Sequence, residues 1–261
     1  MSADYPILEF DPDPGAILSP QVEALQGKLP SRAVMCFFQD VLQELLSQGK
    51  LNMVGHLRSE IGQNPVYTMA VEDQALTILH AGNGASLAGS FLDDLIAAGV
   101  RQVVACGGCG SLVEDIPAGH VLIPMSAVRD EGTSYHYLPP SRECFPSLRI
   151  VKKIEETLKD AGIPFSPVKT WTTDAFYRET AGKRKKRIEE GCQVVEMEAS
   201  ALFAVAAFRE VELGMLLYAG DLVVPEGWQE RAWNRRSDSR QLLFDLAVKT
   251  CLKLEEKNKK I

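Results

Sequence analysis

No segment of the 261 residues approaches the ~18 consecutive apolar residues that a membrane-spanning helix requires. The opening MSADYPILEF holds neither a basic leader nor a hydrophobic stretch, so a secretory signal is not expected. Positive charge is also in deficit. The 28 Lys and Arg stand against 35 Asp and Glu, and the net charge of −7 argues against general attraction to nucleic acid. No second CxxC or CxxH exists to complete a zinc site with Cys106-Gly107-Gly108-Cys109. The other cysteines, Cys36, Cys144, Cys192 and Cys251, are widely spaced in apolar or helical contexts, the usage of a reducing cytoplasm. What remains is an ordinary globular balance, 46% hydrophobic and 24% charged. The chain is long enough to bury a core without a disulfide or metal, and its composition suits a small-molecule enzyme.

The pattern along the chain alternates. Residues 1–30, rich in Pro, Asp and Gly and without a period, read as an extension draped over the body or over a neighbouring subunit; residues 31–261 read as the domain proper. A short apolar run, 33–38, leads into a helix with Val41, Leu42, Leu45 and Leu46 on one face. PVYTMAV and ALTILH are two strands of a hairpin turning at Glu72-Asp73. GNG opens a helix carrying Leu87, Phe91, Leu95 and Ala98 at helical spacing and ended by Gly99. Strands VRQVVAC and HVLIPM follow, then helix RIVKKIEETLKDAG, strands SPVKTWTT and CQVVEM, helix EASALFAVAAFRE, strand LGMLLYAG and a last helix over 239–257. Strands separated by helices predict one three-layer α/β/α domain with a mixed central sheet.

In such sheets ligands bind beyond the carboxyl ends of strands, and four clusters fall there. Gly82-Asn83-Gly84 follows a strand and opens a helix, the setting in which free amides hold an anion; without a third glycine or a Lys-Ser/Thr it fits neither a dinucleotide nor ATP. Gly107 and Gly108 form a second close backbone approach after a strand. Glu196-Met197-Glu198 places two carboxylates where a strand gives way to a helix, suited either to a pair of sugar hydroxyls with the thioether on the sugar face or to a helix start. Asp221 ends a strongly apolar run, where desolvation favours a proton donor near neutrality. The run Lys183 to Arg187 reads as a solvated helix start, and His136 as structural.

From about Gln74 to Lys249 the chain resembles the nucleoside phosphorylase family, which includes uridine phosphorylase and the hexameric bacterial purine nucleoside phosphorylases, with nucleosidases as relatives. VVEMEASALFAVA, SAVRDEGTSYHYLPP, TTDAFY and the two glycine turns in order carry the resemblance. It implies that Glu198, with Met197 and Glu196 beside it, holds the ribose hydroxyls. Tyr137 then lies beside the base, and Asp221 serves the purine leaving group. Gly82, Gly84, Gly107 and Gly108 line a phosphate site. It also implies inorganic phosphate as co-substrate, no metal or organic cofactor, and a homo-oligomer with the site at a subunit interface.

Three departures bear on the reaction. The family's GDPxR near the N-terminus is not reproduced, Ala105 and Gly108 stand where the family carries Arg and Ser or Thr, and Thr180-Ala181-Gly182 replaces a uracil-reading Gln-x-Arg. A phosphate would therefore lack a bidentate cation unless Arg32, Arg58 or Arg129 supplies one, and a purine is expected over uracil. Water in place of phosphate would make the protein a nucleosidase; loss of both would leave a silent nucleoside-binding protein.

Overall fold

The computed structural model describes residues 5–20, 22, 25 and 27–255. Its strands are β1 (Arg32–Cys36), β2 (Asn52–Ser59), β3 (Gly62–Val71), β4 (Gln74–His80), β5 (Gln102–Ser111), β6 (Val121–Asp130), β7 (Glu143–Cys144), β8 (Phe165–Thr173), β9 (Cys192–Glu196), β10 (Glu212–Val224) and β11 (Gly227–Gln229). Its helices are α1 (Gln39–Ser47), α2 (Ala85–Ala97), α3 (Leu148–Asp160), α4 (Ala181–Glu189), α5 (Ala199–Phe208) and α6 (Ser237–Leu252). No helix among the described residues is long and apolar enough to cross a membrane.

One mixed sheet runs β11-β10-β6-β8-β9-β5-β1-β4-β3-β2, with helices on both faces, as the alternation predicts. Period-two patterning in the strands sorts the core into two halves. Met35, Ala105, Met215 and Leu217 pack under α2 and α5, whereas Val34, Cys36, Val104, Cys106, Leu216 and Tyr218 pack under α1, α3 and α6. At about 1.5–3 kcal/mol per fully buried aliphatic or aromatic side chain, these two layers supply the main folding drive. Cys106 and Cys109, three apart on β5, fall into opposite layers, so the CGGC pair does not face itself.

Two features went unread in the sequence. β10 pairs with β5 as well as with β6, closing β5, β10, β6, β8 and β9 into a ring from which β1, β4, β3 and β2 extend. β2, pairing with β3 through a bulge at Met53/Gly55, has too little apolar alternation to be read as a strand; it buries only Leu57 fully. The last helix ends at Leu252, short of the expected end, and Lys257 lies outside the described residues. Nor is the basic run on α4 a solvated face. Arg187 is 7% exposed between Asp130, Glu190 and the Trp171 ring, and Arg184 donates to the carbonyls of Leu112 and Val223.

The N-terminal segment crosses its own subunit: Phe10 meets the edge of Phe208 at 6.5 Å, and Arg209 donates to the Pro14 carbonyl.

Candidate active site

The four clusters flagged in the sequence meet at one edge of the sheet. Gly82 (φ 86°) and Gly84 (φ 83°) turn the chain out of β4 and into α2 through the left-handed region; a Cβ on Gly82 would stand 2.9 Å from Leu87 Cγ. The Gly84 amide donates to Glu198 Oε1 at 2.6 Å, spanning 114 residues of sequence. Gly110 on β5 pairs with Val195 on β9, and a Cβ on Gly110 would lie 3.2 Å from Asp221 Oδ1. Asp221 itself sits where the β10–β5 register slips between Ala219 and Leu222, a bulge that re-aims the side chain. Its Oδ2 accepts from Trp228 Nε1 at 2.6 Å, across the β10–β11 turn.

Glu196 and Glu198 divide their labour. Glu196 accepts from Thr172 Oγ1 at 2.6 Å and Thr170 Oγ1 at 3.1 Å with one oxygen, and from the Glu198 and Ala199 amides at 2.7 and 2.6 Å with the other. It thereby caps α5 and ties β8 to β9; both oxygens are spent on the fold, which takes it out of the sugar-binding set. Burial pushes its carboxyl upward while these hydrogen bonds pull it down. Glu198, at the α5 N-cap position, is 7% exposed and accepts from the Gly84 amide, with the Met197 amide also within reach of its carboxyl. Burial, reinforced by the charge of Glu196, raises its carboxyl to about 8. A buried carboxyl reached only by backbone amides, next to a half-buried Met197, has acceptor capacity left for a ligand hydroxyl pair.

Tyr137 lies elsewhere. Its hydroxyl donates to Asp93 at 2.8 Å and its ring packs edge-on to Phe208, the last residue of α5, about 15 Å of helix from Glu198. Tyr137 lines a cleft of about 890 Å³ between residues 14–20, β2 and α2, which contains neither Glu198 nor Asp221. The aromatic group at Asp221 is instead Trp228, while Phe176 and Tyr177 of TTDAFY are both exposed with ring centroids 4.2 Å apart. Glu179 follows them, half-buried; burial first, then the charge of Asp221, raises it to about 7. Neither Glu179 nor the role of Trp228 is visible in the sequence, since nothing in their local pattern marks them.

Of the two glycine clusters only GNG is a turn; Gly107 and Gly108 lie inside β5, paired with Leu217 and Tyr218 of β10, not after the strand as the sequence suggested, and both clusters are more occupied than expected. Gly82 N donates to His80 Nδ1 at 3.2 Å, Gly84 N to Glu198, and a Cβ on Gly107 would lie 3.1 Å from the Phe37 ring. Burial lowers the pKa of His80, in keeping with an unprotonated Nδ1 that accepts. Of the arginines considered, Arg129 is 4% exposed and spends its guanidinium on Ser134, Ser141 and the carbonyls of Leu138 and Pro139. Arg32 opens β1 at the end of the strand remote from the glycine turns and donates to Gln74 and the Cys251 carbonyl. Arg58 stays exposed on β2, its Nε 3.3 Å from His56 Nε2. Burial first, and then the charges of Glu196 and Asp221, keep the Cys109 thiol protonated, and it donates to the Tyr218 carbonyl.

A mixed sheet with its site built from a GNG turn, a strand-end carboxyl pair and a bulged aspartate places the protein among α/β folds of the nucleoside phosphorylase and nucleosidase type. The chain belongs to the Phosphorylase superfamily, whose sequence model matches residues 31–251. It is 28% identical over 197 residues to a DeoD-type purine nucleoside phosphorylase of Alkaliphilus metalliredigens, covering 73% of this chain and 80% of that one. Its fold is similar to purine nucleoside phosphorylase from Toxoplasma gondii (TM-score 0.74, 18% identity, 88% of this chain and 96% of that one). It is likewise similar to AMP nucleosidase from Bacteroides thetaiotaomicron (TM-score 0.68, 21% identity, 85% and 87%).

Proposed function

We propose that the protein is a nucleoside phosphorylase that cleaves the N-glycosidic bond of a purine ribonucleoside to free base and ribose 1-phosphate. The observation that carries this reading is the placement of Glu198, buried and held by the Gly84 amide at the mouth of the GNG turn, with Asp221 beside Gly110 on the neighbouring strand. An N-glycosidic bond breaks with positive charge developing on the sugar and negative charge on the base, so a site must anchor the sugar, protonate the base and present a nucleophile. Glu198 accepts from the 2′- and 3′-hydroxyls with Met197 against the sugar. The C1′–N9 electron pair moves to the base, Asp221 supplies a proton at N7, and phosphate adds to C1′. The exposed aromatic pair Phe176 and Tyr177 offers the base a stacking face.

The phosphate lies against Gly82, Gly84, Gly107 and Gly108, where the first amides of α2 supply donors. With Arg32 and Arg129 committed to the fold, its cation is the exposed Arg58 of a second copy in a homo-oligomer. No metal or organic cofactor enters this chemistry, and six buried free cysteines suit a reducing cytoplasm. Hydrolysis is the second reading, favoured by the Phe37 ring beside Gly107 and by Ala105 and Gly108, neither of which brings a cation or a hydroxyl to an anion. A panel of nucleosides assayed with and without phosphate decides between them. Phosphate-dependent release of ribose 1-phosphate supports the phosphorylase; equal rates with only free ribose replace it with the nucleosidase. Binding without cleavage in either buffer leaves a silent binding protein.

A further inference from the structure

No residue of β11 is buried, and Trp228 at its centre is 59% exposed, so the gain from apolar burial does not explain a tryptophan on this edge of the sheet. Its register does. β11 pairs antiparallel with the end of β10, Trp228 opposite Val223, and burial alternates over residues 221–224, which puts Asp221 and Val223 on one face. Asp221 is thus the diagonal neighbour of Trp228, a separation that an aromatic side chain can bridge. Trp228 Nε1 donates to Asp221 Oδ2 at 2.6 Å.

This contact tells the two carboxyl oxygens apart. Oδ2 accepts from the indole, whereas Oδ1 lies where Gly110 lacks a side chain, 3.2 Å from the Cβ that any other residue would put there. Arg184, which reaches the Val223 carbonyl two residues away, also donates to the Leu112 carbonyl, and no ion pair joins Asp221 to a cation among the described residues. An indole N–H donates only and carries no charge. It therefore holds one oxygen without the pull that a cation exerts on a carboxyl proton.

We propose that Trp228 is a positioning residue: it fixes Asp221 Oδ2 as an acceptor and so makes Oδ1 the oxygen that meets the leaving base. This rests on the glycosidic-cleavage reading given above. A donor on Oδ2 keeps the carboxyl proton on Oδ1. In the cleavage step the Oδ1–H bond breaks as the N7–H bond forms, the C1′–N9 electron pair passes to the base, and the carboxylate left behind is reprotonated from water. The Trp228 hydrogen bond strengthens as that charge appears, because a bond to an ionised acceptor is about twice as strong as a neutral one. It thereby favours the transition state over the bound substrate.

The test is Trp228→Phe, which keeps an aromatic ring and removes the N–H. Because β11 buries no core, the urea midpoint should not move. For inosine, kcat/KM should fall about 10-fold, carried by kcat rather than KM, the loss expected for one hydrogen bond made stronger in the transition state. A nitrophenyl riboside, whose leaving group needs no proton, should be cleaved within about 2-fold of the wild-type rate. In an Asp221→Ala background the same change should remove nothing more, since no carboxyl is left to aim. Unchanged inosine turnover, equal losses on both substrates, a rise in KM alone, additive losses in the double variant or a shifted urea midpoint overturns the assignment. If the wild type cleaves no nucleoside, the glycosidic reading fails by itself, and equilibrium binding of hypoxanthine decides the role of Trp228. Weaker binding in Trp228→Phe and in Asp221→Ala, with no further loss in the double variant, supports it; additive losses, equal affinities or no binding sink it.

Discussion

Replacing Glu198 by Gln should make the protein more stable and nearly inactive at once. The side chain is 7% exposed, and its carboxyl sits at about 8 in the folded protein against 4.5 unfolded. Between those values the folded state binds more protons than the unfolded chain, so stability is full below about pH 4.5 and is lost as pH rises toward 8. The displacement corresponds to a ceiling of about 5 kcal/mol, which water entry and local relaxation reduce to about 2–3 kcal/mol. Gln keeps an oxygen for the Gly84 amide and has no charge to bury, so this dependence vanishes. Urea denaturation at pH 5.5, 7 and 8.5 should show a falling wild-type stability and a flatter mutant, the two diverging by about 2 kcal/mol at the alkaline end. The slope that survives reports Glu196 and Glu179, also raised by burial. Kinetically, an amide presents a donor where the sugar hydroxyls need a second acceptor, and kcat/KM should drop at least 100-fold, about 2.7 kcal/mol of transition-state stabilisation. Stability gained where activity is lost marks a residue kept for function. A mutant with wild-type turnover, or with the wild-type stability slope, refutes the reasoning; a helix-start role alone would shift stability by about 0.3–1 kcal/mol and leave kinetics untouched.

Glu196→Ala should behave as a fold mutant, costing about 1–3 kcal/mol in urea denaturation because the amides of Glu198 and Ala199 lose their acceptor; unchanged stability with a selective loss of ribose affinity would return Glu196 to the sugar site. Asp221→Asn should slow purine nucleosides far more than nitrophenyl ribosides, whose base departs without a proton; equal losses on both would reduce Asp221 to a supporting role.

Local chemistry made much of this molecule legible before its structure. The β3–β4 hairpin turns at Glu72, the first of the acidic pair that suggested it, which adopts φ 55°, and the GNG and VEMEAS signatures each end a strand and open a helix. These are properties of neighbours in sequence: periodicity, turn residues and caps. SAVRDEGTSYHYLPP was equally informative about family and misleading about the site. Its Arg129, Asp130 and Glu131 are spent on Ser134, Trp171, Arg187 and Ser200, so the stretch signals the fold it braces and carries Tyr137 to the far end of α5.

What the tertiary structure alone decided lies in pairings between residues far apart in sequence, from 24 positions for Glu196 with Thr172 to 114 for Glu198 with Gly84. Two glutamates separated by one residue look interchangeable in VEMEAS; only the approach of β8 gives Glu196 two side-chain hydroxyl donors, while the GNG turn gives Glu198 the Gly84 amide and no side-chain donor reaches it among the described residues. Closure of β10 onto β5 brings Asp221 to Gly110. A carboxyl's role follows from how many donors reach it and how much water is removed, and both are set by strand register and packing rather than by the residues on either side of it.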